Sequence, residues 1–357
     1  MTSPLLAPLS AGQLTLKNRV VMAPLTRARA GHTHVPNDLM AEYYAQRASA
    51  GLVMTECTMV AADASAFITE GGIFDDATMQ GWKKVADAVH ARGGQIMMQI
   101  WHPGRAAHSA NNAGVQPISS SNQPIRNDTI QTPSGKQPYE SPRALRTDEI
   151  PAIVELFRAA AARASAAGFD GVQIHGAHGY LIDQFLRDGA NDRTDAYGGS
   201  LENRARLLLD VVDAVISEIG AGRVALRISP LVAFNDMIDS DPRELVRYVA
   251  GQMSQRKIAF LEIRHDQHDR PQEIALAGIA RDNFAGALML NGSFDQATGE
   301  AAVAEGRADA IVYGRLIIAN PDLVERFAQR APLNPLDAKT LYTPGAAGYT
   351  DYPKLAA

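Results

Sequence analysis

Short apolar, β-branched runs recur along the whole chain, and longer stretches with alternating polar and apolar faces separate them. The short runs predict buried strands, whereas apolar positions repeating every three or four residues predict helices. Eight strands are predicted, at residues 20–23, 52–55, 95–99, 171–174, 224–228, 260–263, 287–290 and 310–313. The predicted helices cover residues 37–49, 77–91, 148–167, 200–219, 241–255, 271–279, 294–305 and 320–328, and the pattern is faintest at 271–279.

This alternation of strands and helices is typical of parallel strands joined by crossover helices. Eight such units without a break in composition favour an α/β fold made of one closed (β/α)₈ TIM barrel, a single domain over residues 1–357. An open doubly wound sheet is disfavoured, because no GxGxxG motif follows a predicted strand. The longest irregular region, about 101–146, follows the third strand, so we expect it on the catalytic face of the barrel.

Composition and charge narrow the classes of partner. The 357 residues are 46% hydrophobic and 20% charged, and 34 Lys+Arg against 39 Asp+Glu give a net charge of −5. Because no basic block is present, nucleic acid is not an expected partner. No apolar run approaches the roughly 20 residues that cross a bilayer, and the N-terminus lacks the features of a secretion signal.

Cys57 is the single cysteine, which excludes an internal disulfide and any all-cysteine metal site. We therefore expect a cytoplasmic protein, a monomer or a homodimer, that has no membrane or nucleic-acid partner.

Candidate chemistry collects after the fourth predicted strand, where His175, His178 and Tyr180 lie within six positions. In a barrel of this type the active site is built at the carboxyl ends of the strands. Two imidazoles can hydrogen-bond a carbonyl or nitro oxygen, and a neutral tyrosine can donate a proton. This set suits the polarisation and protonation of an activated alkene. Since no side chain is a hydride donor, a cofactor site is expected elsewhere in the barrel.

Two further pairs of positions point to such a cofactor. Gly292-Ser293 and Gly314-Arg315 follow strands seven and eight, where barrels of this kind commonly bind phosphate. Gln99 and Arg227 are predicted to point inward from strands three and five, and buried arginine is rare unless it is paired. A flat heteroaromatic group with carbonyl oxygens and ring nitrogens would satisfy both side chains.

The chain resembles the old yellow enzymes, a family of flavin-dependent ene-reductases, from end to end. The matching segments are NRV at 18–20, MAPLTR at 22–27, QIWHPGR at 99–105, GFDGVQIHGAHGYL at 168–181, RTDAYGGS at 193–200, ENR at 202–204, YGR at 313–315, NPDL at 320–323 and GYTDYP at 348–353. The resemblance implies non-covalent FMN at the carboxyl-terminal face of the barrel, reduced by NADH or NADPH. It also implies that small electrophilic alkenes take hydride from flavin N5 and a proton from Tyr180, while His175 and His178 bind the activating oxygen.

Further residue roles follow from the positions in the resemblance. The expected flavin neighbours are Pro24, Leu25, Thr26, Cys57, Gln99, Arg227, Gly292, Ser293, Gly314 and Arg315, with the last four at the phosphate. The expected lining of the substrate pocket is Phe67, Trp101, His268 and Tyr349. Cys57, Phe67 and the segment 264–271 depart from the family pattern, which affects substrate preference more than reaction type.

Other interpretations remain open at this point. His175 and His178 have the spacing of a metal pair, but no third ligand stands close in sequence, so no metal is expected. An FMN barrel of this kind is also compatible with an oxidase or dehydrogenase of alcohols or amines, although Tyr180 would be a poor base. A third possibility is a flavin-storage or sensor protein, but such a protein would have no use for a proton donor beside the flavin ring.

Overall fold

The computed structural model describes residues 3–355 and has a closed barrel of eight parallel strands. The barrel strands are β1 (Val20–Met22), β2 (Leu52–Met59), β3 (Ile96–Trp101), β4 (Gly171–Gly176), β5 (Val224–Ile228), β6 (Phe260–Arg264), β7 (Ala287–Asn291) and β8 (Ala310–Tyr313). Each strand pairs with the next in sequence, and β8 pairs with β1 to close the ring. The predicted barrel is confirmed, and all eight predicted strands are present.

Helices follow the strands around the outside of the barrel. The longer ones are Asp38–Gln46, Asp76–His90, Ile150–Ala166, Arg206–Ile219, Pro242–Arg256, Pro271–Asn283, Gln296–Ala304 and Leu323–Gln329. Three short ones are Leu181–Leu186, Leu201–Arg204 and Arg315–Ala319. Within residues 3–355, no helix has the length and apolar character needed to cross a membrane.

Among the boundaries that differ from the sequence prediction, three have identifiable local reasons. β2 runs four residues further than predicted, to Met59, with an irregular register between Met54 and Cys57. The predicted helix 200–219 is interrupted at Ala205, which separates two helical segments. The faintly predicted helix at 271–279 is a full helix that extends to Asn283, because Pro271 starts it and tertiary packing compensates for its weak amphipathic pattern.

The barrel interior changes character along its axis. Near the amino ends of the strands it is apolar, with Leu52, Met97 and Phe260 in one cluster. A hairpin of Leu9–Ala11 and Leu14–Leu16 belongs to that cluster and closes this end. Nearer the carboxyl ends, the inward positions become polar, and four buried side chains cross the interior there: Gln99, Gln173, Arg227 and Glu262. The polar end of the interior therefore lies at the expected catalytic face.

The long segment after β3 contains two small sheets, a hairpin of Thr129–Thr132 with Gly135–Pro138 and a parallel pair of Ile118–Ser119 with Arg143–Ala144. Its Ile125 and Ile130 pack in the same cluster as Trp101 and Tyr180. The segment therefore lies at the carboxyl ends of the strands, as expected from the sequence.

Candidate active site

The turn after β4 is held in an unusual backbone conformation. His178 has a φ of +58° and Gly179 a φ of +71°, so two consecutive residues are left-handed. Hydrogen bonds fix this turn: His178 N–H donates to Ser229 Oγ at 2.8 Å, and Asn235 Nδ2 donates to the His178 carbonyl at 2.8 Å. Gly179 N–H also donates to Asp183 Oδ2 at 2.8 Å. Neighbouring elements thus enforce a conformation that histidine rarely adopts.

The turn brings the three predicted catalytic side chains together. The ring centroids of His175 and His178 are 5.5 Å apart, and those of His175 and Tyr180 are 5.0 Å apart. Trp101 packs edge-on against Tyr180 at 5.1 Å. His175 Nδ1 accepts a hydrogen bond from Ala177 N–H at 3.3 Å, which assigns the ring proton to Nε2. His175 can therefore donate from Nε2 to a ligand.

Burial sets the protonation states of these groups. It lowers the pKa of His175 and of His178 well below the ordinary histidine value, and the positive charge of Arg227 adds to the effect. Burial also raises the pKa of Tyr180 well above its ordinary value. The Tyr180 hydroxyl has no hydrogen-bond partner among the described side chains and backbone groups. All three groups are consequently neutral and able to donate a hydrogen bond.

A cavity of 770 Å³ extends from His178 across the carboxyl ends of the strands. Its volume lies in the range of small-molecule sites. It is lined by Ala23, Pro24, Leu25, His178, Arg227, Arg264, Asp266, Gln267, Arg270, Asn291, Ser293, Phe294, Asp295, Val312, Tyr313, Gly314, Arg315 and Leu316. Away from His178, three guanidinium groups (Arg264, Arg270 and Arg315) against the carboxylates of Asp266 and Asp295 make this end of the cavity suited to an anion.

The four predicted phosphate residues divide into two groups. Ser293, Gly314 and Arg315 line the cavity, and a Cβ at Gly314 would have only Leu25 nearby, at 3.6 Å. Gly292 lies behind the cavity wall, where a Cβ would come within 2.8 Å of His265. Gly292 is therefore required for packing against the loop after β6.

The predicted flavin neighbours on β1 and β2 meet in the structure. Pro24 and Leu25 line the cavity, and Thr26 Oγ1 lies 2.9 Å from Cys57 Sγ. Burial raises the pKa of the Cys57 thiol well above its ordinary value, so the thiol is neutral and a weak nucleophile. Cys57 also packs in the cluster that contains Trp101 and Tyr180.

The loop that carries Thr26 is fixed by a buried carboxyl group near the end of β2. Glu56 Oε2 accepts from Arg27 N–H at 3.3 Å and from Ala28 N–H at 3.1 Å, and Tyr44 donates to Oε1 at 3.3 Å. Burial raises the pKa of Glu56 to about 7. Ala28 has a φ of +53°, which these hydrogen bonds help to maintain.

A hydrogen-bond chain below the cavity contains two residues that sequence reasoning missed. Gln99 Nε2 donates to Gln173 Oε1 at 2.8 Å, and Gln173 Nε2 donates to Glu262 Oε2 at 2.7 Å. Glu262 Oε1 lies 3.0 Å from Arg227 Nε. Gln173 and Glu262 are inward-facing polar residues on predicted strands, so the signal that identified Gln99 and Arg227 was present for them too.

Aromatic side chains surround the space beside Tyr180. Phe67 lies 6.0 Å from Trp101 between ring centroids, and Tyr342 stacks on Phe67 at 6.3 Å. Tyr139 packs on the same cluster as Tyr180. Tyr139 and Tyr342 come from distant loops without a recognisable motif, which is why the sequence did not identify them.

The structure does not bring His268 and Tyr349 to this pocket. His268 Nδ1 lies 2.9 Å from the Gly292 carbonyl oxygen, and its ring stacks on Phe294 while lining a separate cavity of 210 Å³. Tyr349 is fully buried, stacks on Tyr43 at 3.9 Å and lies 4.3 Å from the Arg29 guanidinium. Cation–π contacts and stacking hold Tyr349 away from the strand ends.

These groups fit a flat heteroaromatic ring that carries a phosphate. Arg264 Nη1 is buried, makes no hydrogen bond with the described residues, lies 3.6 Å from Asp266 Oδ1 and lines the arginine-rich end of the cavity. The terminal nitrogens of Arg227 and the oxygen of the Gln99 amide likewise have no protein partner in residues 3–355. A pyrimidine edge with carbonyl oxygens and an N–H group supplies the complementary acceptors and donor. FMN has both this edge and the phosphate.

Comparison with known proteins agrees with this fit. The family model described as the NADH:flavin oxidoreductase / NADH oxidase family matches residues 4–334. A probable flavin mononucleotide-dependent alkene reductase of Leishmania infantum is 48% identical over 354 residues, with 98% of this chain and 97% of the relative covered. 12-oxophytodienoate reductase 1 of Oryza sativa subsp. japonica is 46% identical, covering 99% of this chain and 93% of that protein.

Solved structures give the same result. Morphinone reductase in complex with tetrahydroNAD superposes with a TM-score of 0.95 and 43% identity, over 99% of this chain and 98% of the other. The old yellow enzyme homologue from Zymomonas mobilis also has a TM-score of 0.95, with 44% identity over 98% of this chain and 99% of the other. The chain therefore belongs to the NADH:flavin oxidoreductase / NADH oxidase family, as an FMN-dependent oxidoreductase of the old yellow enzyme type.

Proposed function

We propose that the protein reduces the activated C=C bond of α,β-unsaturated carbonyl compounds and nitroalkenes at the expense of NADH or NADPH. The observation that carries this proposal is the juxtaposition of two neutral imidazoles with a phenol that has no hydrogen-bond partner among residues 3–355, beside the end of the cavity that His178 lines. When bound and reduced, FMN would supply the hydride that the β-carbon takes up. The chain's own residues orient the substrate and provide the proton.

His175 and His178 bind the carbonyl or nitro oxygen of the substrate. Their N–H donors polarise the substrate and withdraw electron density from the β-carbon, which favours hydride addition there. Since their pKa values are held low, they remain neutral donors that do not need to release a proton. The Nε2–H tautomer of His175 is maintained by the Ala177 N–H.

Tyr180 donates the proton to the α-carbon. A phenol whose pKa is raised stays protonated throughout the neutral range, so it acts as an acid without a partner base. Trp101 and His175 pack edge-on against its ring and restrict its orientation. Phe67 and Trp101 line the pocket for the remainder of the substrate, and we add Tyr342 to them.

FMN would be held by residues from seven of the eight strands and their following loops. Thr26 and Cys57 contact one edge of the ring, and Gln99 and Arg227 bind the pyrimidine edge. The phosphate would be held by Ser293, Gly314 and Arg315, and we add Arg264 because its Nη1 lines the same cavity and is held only by an ion pair with Asp266 at 3.6 Å, without a hydrogen bond. Gly292 contributes by keeping the preceding turn close to the loop after β6.

Anaerobic stopped-flow absorbance tests the proposal. NADH or NADPH is mixed with the holoenzyme to bleach the flavin, and 2-cyclohexenone or a nitroalkene is then added. We expect bleaching in the first step and recovery in the second, with recovery slowed in Tyr180→Phe. Tyr248→Phe removes a half-buried hydroxyl from the Pro242–Arg256 helix and serves as the control.

Two outcomes would contradict the proposal. Absence of flavin absorbance in the purified protein would show that the cofactor required by the proposed reaction is not bound. Bleaching without recovery by enones or nitroalkenes would redirect the assignment to an oxidase or a sensor. If recovery occurred at the same rate in Tyr180→Phe, the proposed reaction would stand, but Tyr180 would not be its proton donor.

A further inference from the structure

Glu262 is a buried carboxylate that the proposed reaction leaves without a role. It lies on β6, faces the barrel interior and is fully buried. Strand register places it beside Arg227 of β5, while Gln173 of β4 pairs with Gln99 of β3. Burying a carboxylate in such a position costs desolvation free energy. Its contribution is therefore expected to lie in its effect on the neighbouring groups.

Glu262 and Arg227 interact mainly through their opposite charges and not through a well-formed hydrogen bond. Arg227 Nε lies 3.0 Å from Glu262 Oε1, yet neither atom has a hydrogen-bond partner with good geometry among the described residues. The side chains are 5% and 0% exposed, so solvent screens this pair little. The negative charge therefore offsets the positive charge that Arg227 presents to the cavity.

The second oxygen of Glu262 orders a chain of amides. Glu262 Oε2 accepts only, so the Gln173 amide presents Nε2 to it and Oε1 to Gln99. Gln99 in turn donates from Nε2 to Gln173, which leaves the Gln99 oxygen as the free end of the chain. A free oxygen at this point accepts from the ring N–H of a pyrimidine edge.

We propose that Glu262 is a positioning residue that lowers the reduction potential of bound FMN by offsetting the charge of Arg227, and that also orients the Gln99 amide through Gln173. This inference rests on the proposed placement of FMN. Reduction of the flavin places negative charge near the N1–C2=O region, and an unopposed Arg227 would stabilise that charge. Glu262 reduces this stabilisation, which keeps the reduced cofactor a stronger hydride donor.

The test is the potential of the holoenzyme with Glu262→Gln, measured by spectroelectrochemistry against reference dyes. Glutamine keeps the size of the side chain and an acceptor for Gln173 but removes the charge. We expect the ratio of the affinities for reduced and oxidised FMN to rise at least tenfold, which corresponds to a potential about 30 mV more positive for a two-electron couple. Asp322→Asn is the matched control, since it removes a carboxylate that is 2.8 Å from Arg326 and remote from the cavity.

A double-mutant cycle shows whether Glu262 acts through Arg227. In an Arg227→Met background, Glu262 has lost its counter-charge, and an unpaired carboxyl group this deeply buried takes up a proton, so Glu262→Gln is expected to leave the potential unchanged. An equal shift in both backgrounds would overturn the proposal, as would an unchanged potential in Glu262→Gln. Should Glu262→Gln fail to fold, Glu262→Asp must shift the potential in the same direction, because it retracts the carboxylate by one methylene.

Failure of this inference is distinguishable from failure of the proposed function. Wild-type reoxidation by 2-cyclohexenone tests the function and does not depend on Glu262. Normal reoxidation with an unchanged potential in Glu262→Gln would overturn the role of Glu262 alone. A positive shift in a protein that fails to reduce enones or nitroalkenes would support Glu262 and overturn the proposed substrate class.

Discussion

The two ends of the cavity solve different physical problems, and they differ in exposure: His175 and Tyr180 are buried, whereas Ser293 and Arg315 are exposed. At the arginine end, formed by Arg264, Ser293, Gly314 and Arg315, the two guanidinium groups carry fixed positive charge. At the histidine–tyrosine end, formed by His175, His178 and Tyr180, burial keeps every group neutral. The contrast separates retention of an anionic cofactor from polarisation of an uncharged substrate.

The difference follows from the titration chemistry of the residue types. Burial disfavours the charged form of any group, but an arginine side chain is not deprotonated in proteins, whereas an imidazole loses its proton readily. Arg227 lies between the two ends: it lines the cavity and lowers the pKa of both histidines. Substitutions at one end should therefore leave the function of the other end intact.

The largest expected effect is at the proton donor. Tyr180→Phe is expected to slow flavin reoxidation by 2-cyclohexenone by about 10²–10⁴-fold, the range typical of general acid catalysis. Flavin reduction by the nicotinamide and FMN affinity are expected to stay at their wild-type values. Stopped-flow absorbance measures the rates of flavin reduction and reoxidation separately. An equal fall in both rates would contradict the separation of roles between the two ends.

The next effect concerns the oxygen-binding donors. His178→Ala is expected to slow reoxidation by about 10²–10³-fold, the range seen when one oxyanion donor is removed. His178→Asn keeps a donor and tolerates the left-handed φ of +58°, so it is expected to retain most of the rate. Equal rates in the two variants would show that neither the donor nor backbone strain accounts for the defect, and would contradict the assignment of His178 as an oxygen-binding donor.

At the arginine end, Arg315→Met is expected to weaken FMN binding about 10–100-fold, because a hydrogen bond to a charged group contributes roughly 1.5–3 kcal/mol. Fluorescence titration of the apoprotein with FMN measures the dissociation constant. Arg330→Met, at a side chain 73% exposed, is the control. Reoxidation by enone is expected at the wild-type rate once Arg315→Met is saturated with FMN, and a slow saturated variant would contradict the separation of roles.

A smaller effect is expected at Cys57, which contacts Thr26 beside the proposed flavin edge. Cys57→Ala is expected to shift the flavin potential by roughly 10–30 mV, since loss of one hydrogen bond is worth about 0.5–1.5 kcal/mol. Spectroelectrochemistry measures this shift. An unchanged potential would reduce Cys57 to a small buried apolar residue.

The smallest expected effect is that of pH on reoxidation. The pKa values of His175 and His178 are lowered, so both stay neutral as the pH falls through the ordinary histidine range. The pKa of Tyr180 is raised, so the phenol stays protonated as the pH rises towards its ordinary value. The reoxidation rate should therefore be flat between these limits. A loss of rate on either side would show that one of these groups titrates in the active enzyme.

Sequence patterns were sufficient where a residue's position follows from its place on a strand. His175, Tyr180, Gln99 and Arg227 lie around the mouth of the barrel, because parallel strands of a barrel all end on one face, while their roles stay predictions. The extension of β2 to Met59 was missed, since an apolar run does not reveal where strand pairing stops.

Loop residues were harder to place because their positions depend on tertiary packing. Tyr342 reaches the pocket from a segment with no motif, whereas Tyr349 and His268 are drawn away by contacts with Tyr43 and Phe294. Stacking partners distant in sequence determine these outcomes, and a single sequence does not pair them.

The most direct test of the division between the two ends is a crossed measurement on Tyr180→Phe and Arg315→Met. The FMN dissociation constant and the rate of reoxidation by 2-cyclohexenone at saturating FMN are measured for both variants. We expect Tyr180→Phe to lose reoxidation while it keeps FMN affinity, and Arg315→Met to show the reverse. Loss of both properties in either variant would contradict the assignment of binding and chemistry to separate ends of the cavity.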